Sequence, residues 1–360
     1  MTKHIITQLI RVTKMNNERL EQFIKSSFLS PLLDDPDISD ITYNGEDIYY
    51  LHRYYGRSKS TVNITQTEAY EFLRHIANLS EVQWSVRSPY LDVSVGSMRI
   101  NGVFTSIGRY KFSKTPTFAL RITKDSIIDY EKDQHMPHKL LQLLKLMLQL
   151  DRSIIIAGAT SSGKTELQKY LISQLPKATR IIVIDNLQEL ECIRNEKLDL
   201  TLWQMQEGGE ASYADLIKNA LRANPDWLIM AEARGKEMLD GLNCAMSGHP
   251  LIMTLHSLHI EAVSSRMTRM VLSSDKNLDY DIVFTDIIHH FPFIIYCKKI
   301  TTGSNEIIRI VSDVGVYEDG VFHLIYSKKQ TDEYYEIPKK LLAKLAQFDD
   351  EIIKKWEDKK

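Results

Sequence analysis

The sequence predicts an α/β protein of two domains, a mixed α/β domain followed by a domain built on a mainly parallel sheet. The length of 360 residues suggests two domains at roughly 100–200 residues each. Short strands that alternate apolar and polar residues fill much of the first third of the chain, which is typical of antiparallel sheets. From Arg152 onward, continuous apolar runs alternate with helical patterns, and such runs indicate parallel strands buried on both faces.

The N-terminal mixed α/β domain is predicted over residues 1–123. Apolar side chains recur at helical spacing in residues 1–30 and again in residues 66–79. Asn44-Gly45 is a turn signal between two runs rich in strand-forming residues. These patterns favour an antiparallel sheet with helices packed on it.

The rest of the chain is divided by composition. Residues 124–137 are polar and predict an interdomain linker. The second domain is predicted over residues 138–320, with the apolar strands "SIIIA", "RIIVID", "WLIMAE" and "LIMTL". Residues 321–360 are predicted to form a charged, helical C-terminal tail that packs on the domain or docks a partner.

The composition limits the classes of function. Hydrophobic residues are 43% and charged residues 26%, an ordinary balance for a globular protein. Lys and Arg number 45 against 47 Asp and Glu, so direct, sequence-specific binding to nucleic acid is not expected. Three cysteines without CxxC spacing predict neither disulfides nor a zinc site, and a cytoplasmic location is the default. No apolar run approaches the roughly 18 residues of a membrane span, and the sequence is compatible with peripheral membrane contact.

The stretch "GATSSGKT" matches the phosphate-binding pattern G-x-x-x-x-G-K-[ST] at every defined position. Its glycines allow backbone N–H groups to point at phosphate oxygens, and the following helix directs its positive end at the same place. Lys164 can reach the β- and γ-phosphates, and the Thr165 hydroxyl can bind Mg²⁺. A β-branched strand precedes the loop and an amphipathic helix follows it, as the pattern requires. The residues predicted to bind nucleotide here are Gly158, Ala159, Thr160, Ser161, Ser162, Gly163, Lys164, Thr165 and Glu166.

A candidate catalytic acid follows in "NPDWLIMAEARG", where an apolar strand ends in Glu232. A carboxylate at the tip of a strand beside the phosphate loop can polarise the attacking water, or hold Mg²⁺ through a water. The alternative is an acid that caps the next helix. Arg234 and Gly235 at the same strand end favour the functional interpretation.

Two further strands carry polar residues at their ends. "RIIVIDN" ends in Asp185 with Glu189 nearby, and an inserted strand of this kind is typical of RecA-like ATPase cores. "SGHPLIMTLHS" places His249 before an apolar strand and His256 after it. A lone histidine is more often structural, but this pair favours a sensor of the γ-phosphate.

Together, these ordered motifs resemble those of the secretion ATPase superfamily of type II and type IV secretion, conjugation and pilus assembly. The resemblance is strongest to the branch that serves type IV secretion, conjugation and tight-adherence pili, and it covers roughly residues 35–300. It implies a RecA-like P-loop ATPase domain after the N-terminal domain, with nucleotide between the two. It also implies a homohexameric ring whose domains move against each other at the linker. Four arginines fall on the family's nucleotide-contacting positions: Arg99, Arg121, Arg234 and Arg266.

Several positions depart from the family pattern and mark a divergent member. Ala159 and Ser161 replace usual glycines of the phosphate loop, and Ala231 replaces the glycine before the catalytic acid. Asn186 replaces an acid, and the histidine box is one residue shorter than usual. The four-cysteine zinc insert of many pilus motors is missing.

The sequence therefore predicts an ATP- and Mg²⁺-dependent motor that works with membrane-associated secretion or conjugation proteins. Glu232 positions the attacking water, Asp185 and Glu189 assist at the metal or water, and His256 reports the γ-phosphate. A pilus-assembly or DNA-uptake motor is the first alternative, and a nucleic-acid translocase is the second. A nucleotide-binding scaffold without hydrolysis is the third.

Overall fold

The computed structural model describes residues 15–123, 126–132, 136–185, 189–193, 197–204, 212–275, 277–303 and 306–357. The chain divides into two compact units, Met1–Asp125 with Thr301–Ile307, and Ser126–Ile300 with Ile308–Lys360. Residues 1–14 of the predicted first helix lie outside the described residues, as do Asn186 and parts of the predicted linker. The predicted domain boundaries therefore stay predictions.

The first unit is a six-stranded sheet with helices, and every pair of neighbouring strands is antiparallel. The strand order is β3-β2-β1-β8-β5-β4, and β6 and β7 form a separate hairpin. The strands are β1 Ile38–Tyr43, β2 Ile48–His52, β3 Gly56–Lys59, β4 Tyr90–Val95, β5 Met98–Val103, β6 Arg109–Tyr110, β7 Ser113–Lys114 and β8 Thr117–Ile122. The helices are α1 over residues 15–25, α2 Ser30–Leu33 and α3 Gln66–Leu79. The predicted mixed α/β fold of this region is confirmed.

Local chemistry explains two of its elements. Helix α3 begins with a capping box, in which the Thr65 side chain accepts from the Glu68 amide and the Glu68 carboxylate accepts from the Thr65 amide. The turn between β1 and β2 contains Gly45 with φ of 104°, a conformation that glycine adopts without steric cost. Asn44 stabilises this turn, because its side-chain oxygen accepts from two following backbone amides.

The second unit is built on a nine-stranded sheet of order β11-β10-β12-β13-β9-β14-β15-β16-β17. The six strands from β11 to β14 in this order are parallel to their neighbours. The strands are β9 Ile154–Gly158, β10 Arg180–Asp185, β11 Asp199–Gln204, β12 Trp227–Ala233, β13 Leu251–Leu255, β14 Phe293–Thr301, β15 Ile307–Glu318, β16 Val321–Lys328 and β17 Asp332–Tyr334. The helices are α4 His138–Leu148, α5 Lys164–Ser173, α6 Tyr213–Arg222, α7 Glu237–Met246, α8 Ala262–Ser274, α9 Tyr280–His290, α10 Lys339–Leu345 and α11 Asp350–Glu357.

Both faces of this sheet are buried. Ile154 and Ile156 of β9 belong to one hydrophobic core, and Ile155 between them belongs to the other. Side chains of α4 and α5 pack in the first core, and side chains of α6 to α9 pack in the second. This arrangement explains the continuous apolar runs, because each strand must offer apolar groups to both sides.

The C-terminal region differs from the predicted helical tail. Residues 321–328 and 332–334 are strands β16 and β17, which pair antiparallel and extend the sheet. Asp319 and Gly320 both have positive φ, as the tight turn between β15 and β16 requires. Helices follow only from Lys339 onward, and Trp356 of α11 is buried.

Candidate functional site

The carboxyl ends of four neighbouring parallel strands meet at one edge of the larger sheet. Strands β10, β12, β13 and β9 end there, in that spatial order. In open parallel sheets this edge is where ligands bind. The last residues of these strands and the segments that follow them carry the candidate acids, the candidate histidine and the phosphate loop.

The phosphate loop lies between β9 and α5 and is closely packed. A Cβ atom at Gly158 would lie 2.3 Å from the backbone oxygen of Cys297 and 2.6 Å from the Ser162 Oγ. Only glycine therefore fits where β9 passes β14. Gly163 directly precedes α5 and has φ of 94°, which a side chain would strain.

Ser161 also has a left-handed backbone, with φ of 59°. This conformation costs a non-glycine residue about 1–2 kcal/mol, which explains why the family usually has glycine here. The Arg309 Nε donates to the Ser161 backbone oxygen over 3.0 Å. Arg309 lies on β15, almost 150 positions later in the chain, and no local pattern in the sequence indicated its contact with the loop.

Lys164 is buried at the start of α5, with only 7% of its surface exposed. Its Nζ donates to the backbone oxygens of Ala159 (2.9 Å) and Gly158 (3.2 Å). Burial lowers the pKa of Lys164, and the nearby carboxylates of Glu232 and Glu189 oppose this change. The ammonium group is therefore a desolvated cation inside the loop.

A chain of polar contacts joins Lys164 to the candidate catalytic acid. The Lys164 Nζ lies 3.5 Å from the His256 Nδ1. The His256 Nε2 lies 3.0 Å from one oxygen of Glu232, and the Arg234 Nη2 donates to the other oxygen over 2.8 Å. The structure thus brings together four side chains that the sequence predicted from three separate motifs.

The charge state of His256 follows from this position. Burial lowers its pKa, the Lys164 charge lowers it further, and the Glu232 carboxylate opposes both. A neutral ring that donates from Nε2 to the carboxylate keeps a lone pair on Nδ1 toward the lysine. This tautomer suits Glu232 and Lys164, whereas a hydrogen bond with the Gly158 backbone raises the pKa of His256 and favours the protonated ring.

Asp185 and Glu189 lie beside this chain. Asp185 ends β10, is 5% exposed, and accepts from the Leu190 backbone amide at 3.0 Å. Glu189 lies close enough to Lys164 to affect the pKa of the ammonium group. Tyr213, which the sequence motifs did not indicate, donates its hydroxyl to the Ile184 backbone oxygen at 3.3 Å.

Tyr213 lies within electrostatic range of both strand-end acids, Asp185 and Glu232. Burial raises the pKa of its hydroxyl, and the charges of Glu237, Asp185 and Glu232 raise it further. Tyrosine at the start of a helix has no motif that would mark it in the sequence.

The loop residues fit a phosphate group and a divalent cation. The Ser162 Oγ is buried and has no hydrogen-bond partner within the described part of the chain, which leaves a polar atom for a ligand. The half-buried Thr165 offers its hydroxyl at the first turn of α5. The Glu166 carboxylate pairs with the fully buried Lys169 at 3.0 Å, and the predicted contact of Glu166 with nucleotide stays a prediction.

Arg99 and Arg121 lie side by side in the first unit, as cross-strand partners on β5 and β8. Each is balanced by a carboxylate: the Arg99 Nε donates to Asp92 at 2.9 Å, and the Arg121 Nε to Asp40 at 3.3 Å. The ion pairs offset the repulsion expected of like charges directly opposite each other. Their predicted contact with phosphate stays a prediction.

Two other predicted residues lie apart from the polar chain. Arg266 is exposed on α8, and no contact of its side chain with the loop is found among the described residues. His249 precedes β13, whereas His256 follows it, so the two histidines lie at opposite ends of a strand about 16 Å long. The two histidines therefore do not meet, and His256 is the one that contacts the polar chain in the described part of the structure.

The parallel sheet, the loop and the helix that it opens define a RecA-like P-loop ATPase domain. Residues 96–312 match the sequence model of the family described as "Type II/IV secretion system protein". The chain belongs to this family, which confirms the predicted superfamily.

Individual relatives agree with this membership. An uncharacterized protein of Bacillus anthracis is 26% identical over 308 residues, which cover 82% of this chain and 68% of that protein. The type IV secretion system protein VirB11 of Brucella suis is 33% identical over 151 residues, 40% of this chain and 42% of that protein. The chain thus spans about two fifths of the Brucella relative. The X-ray structure of the Legionella pneumophila ATPase DotB has a TM-score of 0.60 at 18% identity, covers 79% of each chain, and shows the same fold.

Proposed function

We propose that this protein is an ATP-hydrolysing motor of a type IV secretion or conjugation system. One observation carries the proposal: Lys164, His256, Glu232 and Arg234 form a continuous polar chain beside the phosphate loop. A cation that can bind a γ-phosphate is thereby linked through one ring to a carboxylate that can position water.

The phosphate loop would hold the nucleotide through its backbone amides and Lys164. In the described structure the Lys164 ammonium donates to the backbone oxygens of two loop residues, Gly158 and Ala159. A phosphate group offers a charged acceptor, which attracts the ammonium more strongly than a neutral carbonyl oxygen does. Mg²⁺ held by Thr165 would supply charge neutralisation at the β- and γ-phosphates.

Glu232 would orient and polarise the attacking water. His256 donates to one oxygen in the neutral tautomer and Arg234 donates to the other, so the two contacts fix the direction of the carboxylate. Loss of the γ-phosphate would change the partner of Lys164, and His256 is placed to transmit that change to Glu232. Asp185 and Glu189 would add negative charge near the metal or the water.

The assignment to type IV secretion rests on the similarity to VirB11. It implies a homohexamer that acts with membrane-associated secretion proteins at the cytoplasmic face of the membrane. Among the described residues, no helix is both long enough and apolar enough to cross a membrane.

The site is tested by Lys164→Ala in the purified protein. Removal of the phosphate cation should lower steady-state ATP turnover by about 100-fold or more, because transition-state charge loses its nearest partner. Lys177→Ala, which removes an exposed lysine beyond α5, is the matched control and should turn over ATP normally. Undiminished turnover by Lys164→Ala would reject the site.

The nucleic-acid translocase makes a different prediction for the wild-type protein. Strong stimulation of turnover by single-stranded DNA, with binding that falls steeply as salt rises, would favour it over the secretion motor.

A further inference from the structure

Strand β12 contains an irregularity directly before the catalytic acid. Met230 pairs with Met253 of β13, and the next paired residues are Ala233 and Leu255. An advance of three residues along β12 therefore corresponds to an advance of two residues along β13, so β12 contains one extra residue here. This is a β-bulge, a feature that bends a strand and redirects its side chains. The extra residue falls at Ala231–Glu232.

Two side chains from outside β12 hold the bulge. The Gln168 Nε2 of helix α5 donates to the backbone oxygen of Met230 at 2.9 Å and to that of Ile252 at 3.2 Å. The Thr254 Oγ1 of β13 donates to the backbone oxygen of Ala231 at 2.6 Å. Side chains of α5 and β13 therefore donate to backbone oxygens at the irregularity and beside it.

The burial of Gln168 indicates that its hydrogen bonds to β12 and β13 are the reason for a polar side chain at this position. Gln168 has no exposed surface, and its Oε1 has no hydrogen-bond partner in the ranges that the structure describes. An unpaired buried oxygen is unfavourable, and an apolar side chain would avoid it. A glutamine at this position is explained if its two N–H groups are needed to bridge β12 and β13.

The location of Gln168 links the bulge to the phosphate loop. Gln168 stands four positions after Lys164, one helical turn further along the same helix. Thr254 lies on β13, two positions before His256, which directly follows this strand. Each donor is therefore close in sequence to a member of the polar chain.

We propose that Gln168 and Thr254 are positioning residues that hold the bulge of β12 and thereby direct the Glu232 carboxylate toward His256. The inference rests on the proposed ATP hydrolysis and adds to it a mechanical connection from α5 to the acid. Neither residue touches the reacting atoms in this account. Their loss should therefore lower the rate of the chemical step and leave nucleotide binding intact.

The first test is Gln168→Met, which keeps the length of the side chain and removes both donors. We expect kcat to fall about 10- to 100-fold, because a small displacement of a catalytic group has effects of this size. The Kd for a non-hydrolysable ATP analogue should stay within about twofold, since Lys164 is intact. Gln174→Met at the end of α5 is the control and should change neither value. A kcat within twofold of wild type, or a parallel loss of binding, would overturn the proposal.

The second test uses Thr254. Thr254→Val removes the hydroxyl at nearly constant volume and should lower kcat, whereas Thr254→Ser keeps the hydroxyl and should restore it. Because both donors act on one bulge, Gln168→Met with Thr254→Val should lower kcat by less than the product of the single effects. A simple product, or a serine variant as slow as the valine variant, would contradict the shared role.

Hydrogen exchange does not depend on ATP turnover, so it tests the role of the bulge separately from the proposed ATP hydrolysis. Amide hydrogen exchange of residues 228–236 should be faster in Gln168→Met than in Gln174→Met, because the bulge opens more often. Faster exchange together with a wild-type protein that hydrolyses no ATP would keep the bulge role and reject the motor. Equal exchange in both variants would reject the bulge role.

Discussion

At the level of single residues, the candidate site contains a buried charge and a strained backbone, each of which is unfavourable by itself. Lys164 is a cation in a desolvated loop, and its charge is offset by carboxylates rather than by water. Ser161 holds a left-handed backbone that glycine would adopt without strain. Strain and buried charge of this kind cluster where a ligand must be bound by a preformed site.

Ser161→Gly should raise the free energy of unfolding by roughly 0.5–1 kcal/mol. Relief of the left-handed strain contributes about 1–2 kcal/mol, and the greater freedom of glycine in the unfolded chain offsets about half of it. Urea unfolding measures the change. Ser161→Ala keeps the Cβ atom and should leave stability unchanged. If the alanine variant gained as much as the glycine variant, the hydroxyl and not the backbone would be the cause.

The sequence predicted the members of the site but not their supports. Lys164, Glu232 and His256 lie at or after the ends of strands in recognisable patterns, and the structure joins them in one chain of contacts. Arg309, Tyr213 and Gln168 are distant in sequence or lie within ordinary helical patterns. Their contacts depend on how strands are ordered in the sheet, which a single sequence does not contain.

At the scale of elements, the phosphate loop depends on the close approach of β9 and β14. Gly158 pairs in register with Cys297, and the space between the two backbones excludes any side chain. The loop can turn here only because its first residue is glycine.

Gly158→Ala should lower the free energy of unfolding by about 1–3 kcal/mol, the usual cost of overpacking. Its Cβ atom would meet the Cys297 oxygen at 2.3 Å, so the two strands must separate. Gly248→Ala provides the comparison, since Gly248 also has positive φ, at 89°, but no atom lies within 4 Å of the added carbon. Thermal unfolding of both variants gives the measurement. An equal loss in the two would mean that backbone strain, and not the strand contact, sets the cost.

The sequence predicts the type of a strand or helix when its apolar pattern shows how many faces of that element are buried. The continuous apolar runs correctly indicated parallel strands, because both faces of the sheet are covered. The strands at residues 321–334 were not predicted, although Asp319-Gly320 is a hairpin signal. The charged helices beyond Lys339 set the overall composition of this segment, and this composition hides the short strands before them.

At the scale of the whole molecule, family membership predicts a ring that the single chain does not contain. The chain itself supplies a phosphate loop and an arginine pair in its first unit. If the arginines contact phosphate as predicted, they couple the state of the nucleotide to the first unit.

Assembly should appear as a change in mass. Light scattering of the purified protein with a non-hydrolysable ATP analogue and Mg²⁺ should give the mass of a hexamer, because bound ligand stabilises the state that binds it best. Lys164→Ala under the same conditions should assemble less, since it binds the analogue more weakly. A protein that stays monomeric with saturating analogue would contradict the ring.

The proposed function requires Glu232 to activate water for ATP hydrolysis, and the variant Glu232→Gln removes this ability. The amide keeps the size of the side chain but cannot act as a base, so turnover should fall by about 100-fold or more. Bound ATP, measured after rapid separation from free nucleotide, should stay near the wild-type amount because the phosphate loop is unchanged. A glutamine variant that hydrolyses ATP at the wild-type rate would contradict the account.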